Sequence, residues 1–319
     1  MKILITGIHG FVGSNLVAAL SKEHTIYGLD IVNPQKDGVC FTFSWDNLDK
    51  PGEIPEVDAI IHLAGKAHDT KNKSAADVYF KVNTGLTQKI FDWFLAQPSC
   101  KKFVFFSTAK AAADKVDGIL IEDVVPAPVG PYGESKIAAE KYIQETLETW
   151  SLEHETDTKN VYIFRPCMIH GPGNKGNLNL LYNVVKKGIP WPLGAFENRR
   201  TFTSVENICF AVNGVLTKDV PSGIYNMGDD EALSTNELIE EICKSLGKNA
   251  HIWKLSKNLM TGFAKLGDAL HLPLNSERLR KLTENYISSN KKIKKALGVE
   301  KMPVDARAGL QRTLESFKK

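Results

Sequence analysis

The sequence predicts an α/β fold, in which a doubly wound parallel sheet is followed by a smaller C-terminal lobe. Short apolar runs, typical of strands buried on both faces, alternate with amphipathic helical patterns. The first run leads into a glycine-rich turn, and later runs end in small, hydroxyl or charged residues. Ligands of open parallel sheets bind at the carboxyl ends of the strands, so we predict one nucleotide-binding domain over residues 1–165.

Composition and charge narrow the possible partners. The chain has 319 residues and a net charge of +3, and it contains no basic block, which argues against nucleic acid as the main ligand. Its five cysteines are scattered and never spaced as C-x-x-C, so neither a disulfide framework nor a zinc site is indicated. The N-terminus has no signal-peptide pattern, and no apolar run is long enough to span a bilayer. We therefore expect an unprocessed cytoplasmic protein without membrane insertion.

The first predicted strand and the turn after it form a candidate phosphate site. The apolar run 2–6 is followed by three glycines spaced as G-x-x-G-x-x-G and then by a helical pattern. Glycine lets the backbone turn tightly and lets a phosphate approach the free N–H groups at a helix start. A glycine turn without a ligand is the alternative. The residues predicted to contact a dinucleotide here are Gly7, Gly10, Phe11, Val12 and Gly13.

The second predicted strand, over residues 25–30, ends in an acid, Asp30. It lies about twenty residues beyond the glycines, where a carboxylate can accept hydrogen bonds from the adenosine ribose hydroxyls. No arginine follows Asp30, and Lys36 is the nearest cation after it. This pattern favours NAD over NADP as the cofactor, with a turn-capping aspartate as the alternative.

Three further predicted strands, over residues 58–65, 102–108 and 161–166, also end in candidate ligand groups. His62 and His68 lie near the end of the first, but no third residue has a matching spacing, so we predict no metal site. The candidate cofactor contacts at these ends, with one residue from the following helical pattern, are Leu63, Ala64, Gly65, Lys66, Asn83, Ser107, Arg165 and Pro166.

A helix is predicted over residues 83–97, because its apolar residues recur at helical spacing. This stripe is interpreted as core or as subunit interface, and the pattern does not separate the two. It consists of Leu86, Ile90, Trp93 and Phe94.

A tyrosine and a lysine four residues apart, Tyr132 and Lys136, stand where a long helical pattern begins. On a helix their side chains share one face. A free tyrosine titrates near pH ~10, so a neighbouring cation must lower its pKa before it can act as a general acid or base near neutrality, and Lys136 can supply that charge. The pair predicts a proton-transfer site, with a surface pair of no function as the alternative.

Several motifs in chain order resemble the extended short-chain dehydrogenase/reductase family, in particular its NAD-dependent nucleotide-sugar epimerase/dehydratase branch, which includes UDP-glucose 4-epimerase-like proteins. The resemblance covers nearly the whole chain. The matching segments are Thr6-Gly7-x-x-Gly10-Phe11-Val12-Gly13, His62-Leu63-Ala64-Gly65, Asn83-Thr84-Gly85, Ser107-Thr108, Tyr132-Gly133-x-Ser135-Lys136, Arg165-Pro166, Gly171-Pro172-Gly173, Gly176-Asn177 and Arg199-Arg200-Thr201-Phe202.

The resemblance implies a Rossmann domain that binds NAD and a mainly substrate-binding α/β lobe over residues 166–319, with the chain crossing back to the first domain. It implies that Tyr132 exchanges a proton with a sugar hydroxyl, while Lys136 bonds the nicotinamide ribose and lowers the tyrosine pKa. Thr108 would hold the sugar oxygen. A homodimer built on the helices near 83–97 and 132–150 is also implied. The residues expected at the substrate are Lys110, Asn177, Arg200 and Arg278, with Arg280 as an alternative to Arg278.

One departure from the family pattern narrows the expected chemistry. Dehydratases and decarboxylases of this branch carry carboxylates in the segment after the threonine, whereas this chain has Ala109 and Lys110 there. Elimination of water is therefore disfavoured. The expected activity is that of an epimerase or 4-keto reductase at C4 of a nucleotide sugar, with UDP as the expected nucleotide and polysaccharide biosynthesis as the expected setting. The alternatives are a dehydratase and a non-catalytic NAD-binding sensor or scaffold.

Overall fold

The fold is built around a seven-stranded parallel sheet, seen in a computed structural model that describes residues 1–67, 75–174, 176–270 and 274–318. The strands are β1 (Lys2–Thr6), β2 (Thr25–Leu29), β3 (Phe41–Phe43), β4 (Ala59–His62), β5 (Lys102–Phe106), β6 (Ile119–Leu120), β7 (Asn160–Pro166), β8 (Met168–His170), β9 (Phe202–Ser204), β10 (Gly223–Met227) and β11 (Ile287–Ser288).

The helices lie on both faces of this sheet and in the C-terminal part of the chain. A wider π-helical segment, Phe80–Gly85, joins the second and third of them, and a short 3₁₀ turn spans Trp45–Asp49. The helices are α1 (Phe11–Leu20), α2 (Ala76–Tyr79), α3 (Leu86–Leu95), α4 (Ala109–Ala112), α5 (Pro131–Glu153), α6 (Asn177–Lys186), α7 (Val205–Thr217), α8 (Thr235–Ser245), α9 (Lys257–Leu270), α10 (Ser276–Thr283), α11 (Lys291–Leu297) and α12 (Ala306–Ser316).

The strand order, β10-β7-β5-β4-β1-β2-β3, confirms the doubly wound sheet. The chain runs from β1 to one edge through β2 and β3, and then returns to β4 and proceeds to the other edge. The direction therefore reverses between β1 and β4. In open α/β sheets the crevice beyond the strand ends at such a reversal is where ligands bind.

Alternating side chains of the strands point to two separate cores, as the strand period of two requires. Ile3 and Ile5 of β1 pack in the core that contains residues of α1 and α7. Leu4, between them, packs in the core that contains residues of α3 and α5, among them Ile90 and Phe94. The predicted stripe of the 83–97 helix therefore contributes to the core through these last two residues, and no membrane-crossing helix is found among the described residues.

The C-terminal part of the chain contributes both to the sheet and to a separate lobe. Strand β10 pairs with β7 in the main sheet, so the chain crosses back to the first domain after residue 166, while the division at residue 165 stays a prediction. The lobe core joins α6, α8 and α12. Two short parallel pairs, β8 with β9 and β6 with β11, complete the arrangement. The second pair ties the loop before α5 to the lobe.

Candidate active site

The predicted site residues of the first domain meet at the carboxyl edge of the sheet. Strands β5, β4 and β1 are neighbours, with β7 beside β5, so the residues that follow them lie side by side. Parallel pairing therefore converts distant sequence positions into one surface. The residues gathered here are Gly7, Gly10, Phe11, Val12 and Gly13 after β1, Leu63, Ala64, Gly65 and Lys66 after β4, Ser107 and Thr108 after β5, and Pro166 at the end of β7.

The glycine turn after β1 fits a bound phosphate. Gly7 has φ +67°, and a Cβ added there would lie 2.9 Å from the backbone nitrogen of Ala64, so a larger residue would push the turn away from β4. Gly10 is exposed and precedes α1 without offering a side chain to its first N–H groups. These N–H groups and the helix dipole favour an anion at this end of α1.

The carboxylate of Asp30 borders this turn. Its Oδ2 accepts a hydrogen bond from the backbone N–H of His9 (3.1 Å), and its Oδ1 accepts one from Ile31 (2.7 Å). The Lys36 ammonium lies at the same turn and donates to the hydroxyl of Ser14 (2.6 Å). Burial lowers the pKa of Lys36, and the charge of Asp30 partly offsets this. A cation and an anion thus stand together where the sequence predicts the adenosine ribose.

The buried His62 ring links the ends of β1 and β4 to the helix that follows. The Thr87 hydroxyl donates to the Asn83 carbonyl oxygen (2.6 Å), so its oxygen accepts from Nε2 of His62 (2.9 Å). Nδ1 of His62 then accepts from the hydroxyl of Thr6 (2.6 Å), whose oxygen accepts the N–H of Ala64 (3.0 Å). Each hydroxyl hydrogen is used once, which assigns the ring proton to Nε2.

The charge state of His62 agrees with this assignment. Burial, and next the positive charge of Lys136, lower the pKa of His62 well below its usual value of 6.5. The ring is therefore neutral near pH 7 and uses both nitrogens in hydrogen bonds. His68 lies outside the described residues. Among the residues that the structure describes, no group of three His, Cys, Asp or Glu side chains could hold a metal ion.

Asn83 connects the loop after β4 to the start of α5. Its Oδ1 accepts from the backbone N–H of Lys66 (2.7 Å), and its Nδ2 donates to the hydroxyl of Ser135 (3.0 Å). A Cβ added to Gly65 would lie 3.0 Å from Asn83 Oδ1 and 3.2 Å from Lys136 Nζ. Asn83 stands in the π-helical segment, a geometry that often occurs at functional sites. Its side chain positions neighbouring residues, and its direct contact with a cofactor stays a prediction.

Tyr132 and Lys136 lie in the first two turns of α5, as the spacing predicted. A hydrogen bond joins the side chains of Tyr132 and Thr108, and Lys136 Nζ donates to the carbonyl oxygen of Phe106 (2.8 Å). Thr108 also accepts from the backbone N–H of Lys110 (3.3 Å), which fixes it as the cap of α4. The phenol, the hydroxyl and the ammonium therefore gather at the end of β5.

The pKa values of the pair differ from the expectation. Burial raises the pKa of Tyr132 above its usual value of 10, and the bond to Thr108 offsets only part of this. Burial also lowers the pKa of Lys136 to about 8, against the raising effect of Glu140. The expected lowering of the tyrosine pKa is not seen here, because desolvation of the phenol is the largest effect on it. Tyr132 accordingly keeps its proton at neutral pH.

Glu140, one turn after Lys136 on α5, forms an ion pair that the sequence did not predict. Arg165 Nη2 contacts Glu140 Oε2 at 2.6 Å, and the two side chains are 2% and 0% exposed. Arg165 Nε lies 3.1 Å from each carboxylate oxygen, and the Ser107 hydroxyl also donates to Glu140. The predicted contacts of Ser107 and Arg165 with a cofactor stay predictions, since the structure binds both side chains to Glu140. An arginine in an otherwise apolar strand was the signal that a buried acid must be near it.

A second charged cluster lies beside α4, at the side that faces the lobe. Lys110 Nζ is 3.0 Å from Asp114 Oδ1 and 4.8 Å from the centre of the Tyr286 ring. Arg280 contacts the other oxygen of Asp114 (3.2 Å), so the two cations share one acid. Helix α4 packs against α5, which bears Tyr132. Lys110, Asp114 and Arg280 thus form a polar wall next to the Tyr132–Thr108 pair.

The remaining predicted substrate residues are spread over the lobe. Arg200 donates to the carbonyl oxygen of Lys281, and its charge acts on Cys167, the residue directly after β7. The structure therefore places Arg200 near the carboxyl edge of the sheet. Asn177 begins α6 and Arg278 lies in α10, and both residues are exposed. Their contacts with a nucleotide stay predictions.

Comparison with known proteins agrees with this geometry. The model of the NAD dependent epimerase/dehydratase family matches residues 3–228. UDP-glucose 4-epimerase of Vibrio cholerae is 31% identical over 271 residues, which cover 80% of this chain and 78% of that protein. GDP-6-deoxy-D-mannose reductase of Pseudomonas aeruginosa is 25% identical over 256 residues, covering 75% and 78% of the two chains. Among solved structures, MoeE5 in complex with UDP-glucuronic acid and NAD has the same fold, with a TM-score of 0.75, 20% identity, and coverage of 100% of this chain and 99% of that one.

Proposed function

This chain belongs to the NAD-dependent epimerase/dehydratase family, and we propose that it acts at C4 of a nucleotide sugar, as an epimerase or a 4-keto reductase. The family is NAD-dependent, so NAD is the cofactor. The glycine turn and Asp30 would hold the adenosine half of NAD, and Lys136 would bond the nicotinamide ribose. When bound, NAD supplies the acceptance and return of a hydride.

The observation that carries the proposal is the Tyr132–Thr108 hydrogen bond beside residues 109–113, which contain no carboxylate, while the next acid, Asp114, is paired with Lys110 and Arg280. Tyr132 moves the proton of the C4 oxygen, and Thr108 orients that oxygen. The two residues after Thr108 are Ala109, which is buried, and Lys110, which is bound to Asp114. A dehydratase needs an acid and a base at neighbouring carbons, and this segment supplies neither. Retention of both Tyr132 and Lys136 argues against a non-catalytic sensor or scaffold.

Tyr132 acts on the C4 oxygen in both candidate reactions. Because burial raises its pKa, the phenol is protonated at neutral pH and can donate to a keto oxygen. A reductase needs only this donation, whereas an epimerase also needs Tyr132 to take the proton of the C4 hydroxyl before it returns it. UDP is the proposed nucleotide, because the 31% identical relative is a UDP-glucose 4-epimerase. Arg200 and Arg278 are proposed to contact the diphosphate, since a guanidinium pairs well with phosphate oxygens.

The cofactor state of the purified protein and its turnover test the proposal. UDP-, GDP- and dTDP-sugars are screened with NAD(H) and NADP(H) by thermal shift, where a ligand at a hundredfold excess over its Kd adds about 2.7 kcal/mol of stability. The stabilising sugar and its 4-keto form are then assayed by product analysis. Stoichiometric oxidation of added NADH with the 4-keto sugar identifies a reductase, whereas retained NAD with no net consumption identifies an epimerase. Release of a dehydrated product would overturn the proposal.

The Asp30→Ser variant tests the proposed adenosine-ribose contact. We expect it to bind NADH about tenfold or more weakly, because hydrogen bonds to a charged acceptor contribute about 1.5–3 kcal/mol each. We also expect tighter binding of NADPH, since removal of the acid leaves the Lys36 ammonium free to attract the extra phosphate. The matched control is Asp37→Ser, an exposed acid next to Lys36. A ratio of NADH to NADPH affinity that is equal in both variants would contradict the assignment of Asp30.

We also propose a cytoplasmic homodimer. The five cysteines are all free, as in a reducing compartment. Helices α3 and α5 lie side by side and are joined by the Tyr142–Asp92 hydrogen bond (2.5 Å). The exposed Val78 and Phe80, just before α3, offer apolar surface for a second copy. The mass of the purified protein in solution tests this arrangement.

A further inference from the structure

Helix α9 has apolar residues on two different sides. Its inner side is buried, with Met260 and Ala264 packed in a small core that includes Leu193 and Leu279. A second set recurs at i, i+4, i+7 and i+11, which places it along one line of the helix surface. This set, which we name the α9 stripe, consists of Leu259, Phe263, Leu266 and Leu270, with exposed fractions of 48%, 52%, 50% and 59%.

The α9 stripe is not needed to hold the helix in place. The inner residues already attach α9 to the lobe, so the stripe can be removed without opening the core. Single exposed leucines are common on protein surfaces, but a continuous row of four large apolar side chains on one helix is unusual. Such a row indicates that another apolar phase covers this surface when the protein functions.

The positive charge of α9 and the residues before it indicates what kind of apolar phase covers the α9 stripe. Residues 248–270, which include all of α9, contain four lysines and one acidic residue, Asp268, whose carboxylate accepts hydrogen bonds from Ser276. Four positive charges against one negative charge leave this short segment basic, whereas the whole chain of 319 residues has a net charge of only +3. Trp253, four residues before α9, is 54% exposed. A basic amphipathic helix with a neighbouring tryptophan is typical of segments that lie in the interface of an anionic bilayer. The four cations are Lys248, Lys254, Lys257 and Lys265.

We propose that the α9 stripe, with Trp253 and the flanking lysines, is a docking surface for an anionic phospholipid bilayer. The helix would lie in the plane of the interface with its stripe among the acyl chains, while the positive charge of the segment attracts it to the lipid phosphates. Its 14 residues are too few to cross a bilayer. A second copy of the chain fits less well, because a two-fold contact would bring the same lysines together. The proposal does not depend on the reaction at Tyr132.

Vesicle binding of the full-length protein tests the docking surface. Vesicles of phosphatidylcholine alone are compared with vesicles of phosphatidylcholine and phosphatidylglycerol by co-sedimentation. We expect the wild type to bind the anionic vesicles and to dissociate as salt is added. The Phe263→Gln, Leu266→Gln double variant should lose about tenfold or more of its partition coefficient. The Lys254→Gln, Lys265→Gln double variant should lose about tenfold on anionic vesicles only.

Leu152→Gln is the matched control, because Leu152 is a 77% exposed leucine on α5, outside the proposed surface. It should bind vesicles like the wild type, and unfolding curves should show that all variants remain folded. The proposal fails if the wild type does not bind anionic vesicles, or if the stripe variant binds them equally well. It also fails if the stripe variant instead lowers the mass of the protein in solution, since the stripe would then be an interface between copies.

Discussion

The Tyr132→Phe variant is expected to lose about three orders of magnitude in kcat on the sugar substrate, while it keeps its fold and its NAD binding. The change removes one oxygen, and with it the group that carries the proton of the C4 oxygen. Positioned acid–base groups typically contribute 10²–10⁴-fold, so a loss of about a thousandfold is expected for a main proton carrier. Stability should change by only about 1 kcal/mol, the usual contribution of one hydrogen bond such as that to Thr108.

Helix α5 supplies a matched control for this variant. Tyr142 also carries a hydroxyl on α5, and it donates to Asp92 (2.5 Å) ten residues beyond the candidate site. Tyr142→Phe removes the same atom from the same helix and should retain turnover close to that of the wild type. The measurement is kcat with saturating sugar and cofactor, together with NADH binding for each variant. A Tyr132→Phe protein that keeps a tenth or more of the activity would end the catalytic assignment.

The sheet could be predicted from the sequence because its strands are buried on both faces. Predicted strand 2–6 coincides with β1, and the other four predicted strands were found with ends shifted by a few residues. The three-residue strand β3 is too short to give a pattern. Strand β10 was missed as a member of the sheet, because its partner β7 lies about sixty residues earlier and no local signal reports that pairing.

The candidate site could be predicted only where its chemistry has a local signature. The glycine turn and the Tyr132–Lys136 spacing are such signatures, since each is confined to a few neighbouring residues. The contacts of His62 with Thr6 and Thr87 join positions 56 and 25 residues away, so nothing in the spacing identified them. The predicted direction of the Tyr132 pKa shift was wrong for a related reason. It depends on desolvation by the fold around the phenol, and a four-residue spacing contains no information on that.

Replacing Arg165 by Met should destabilise the protein by about 3–5 kcal/mol, a large fraction of the 5–15 kcal/mol typical of folded domains. The variant leaves the Glu140 carboxylate at 0% exposure, and among the residues that the structure describes its remaining side-chain donor is the hydroxyl of Ser107. Urea unfolding measures the loss. The matched control is Lys281→Met, which breaks the exposed pair with Glu277 (2.6 Å) and should cost at most about 1 kcal/mol.

A double variant separates the ion pair from simple loss of packing. Arg165→Met combined with Glu140→Gln removes both charges, so it should be more stable than the sum of the two single changes predicts. Strict additivity would show that the pair does not act as a unit.

Glu140 also acts on the candidate site, since its charge raises the pKa of Lys136, which burial lowers to about 8. Glu140→Gln should therefore lower that pKa further. Lys136 would then lose its proton at lower pH, and the alkaline limb of the pH–kcat profile should move toward neutrality. Because a merely structural role of Glu140 would lower stability without moving this limb, the profile shows whether the buried pair sets the charge of Lys136.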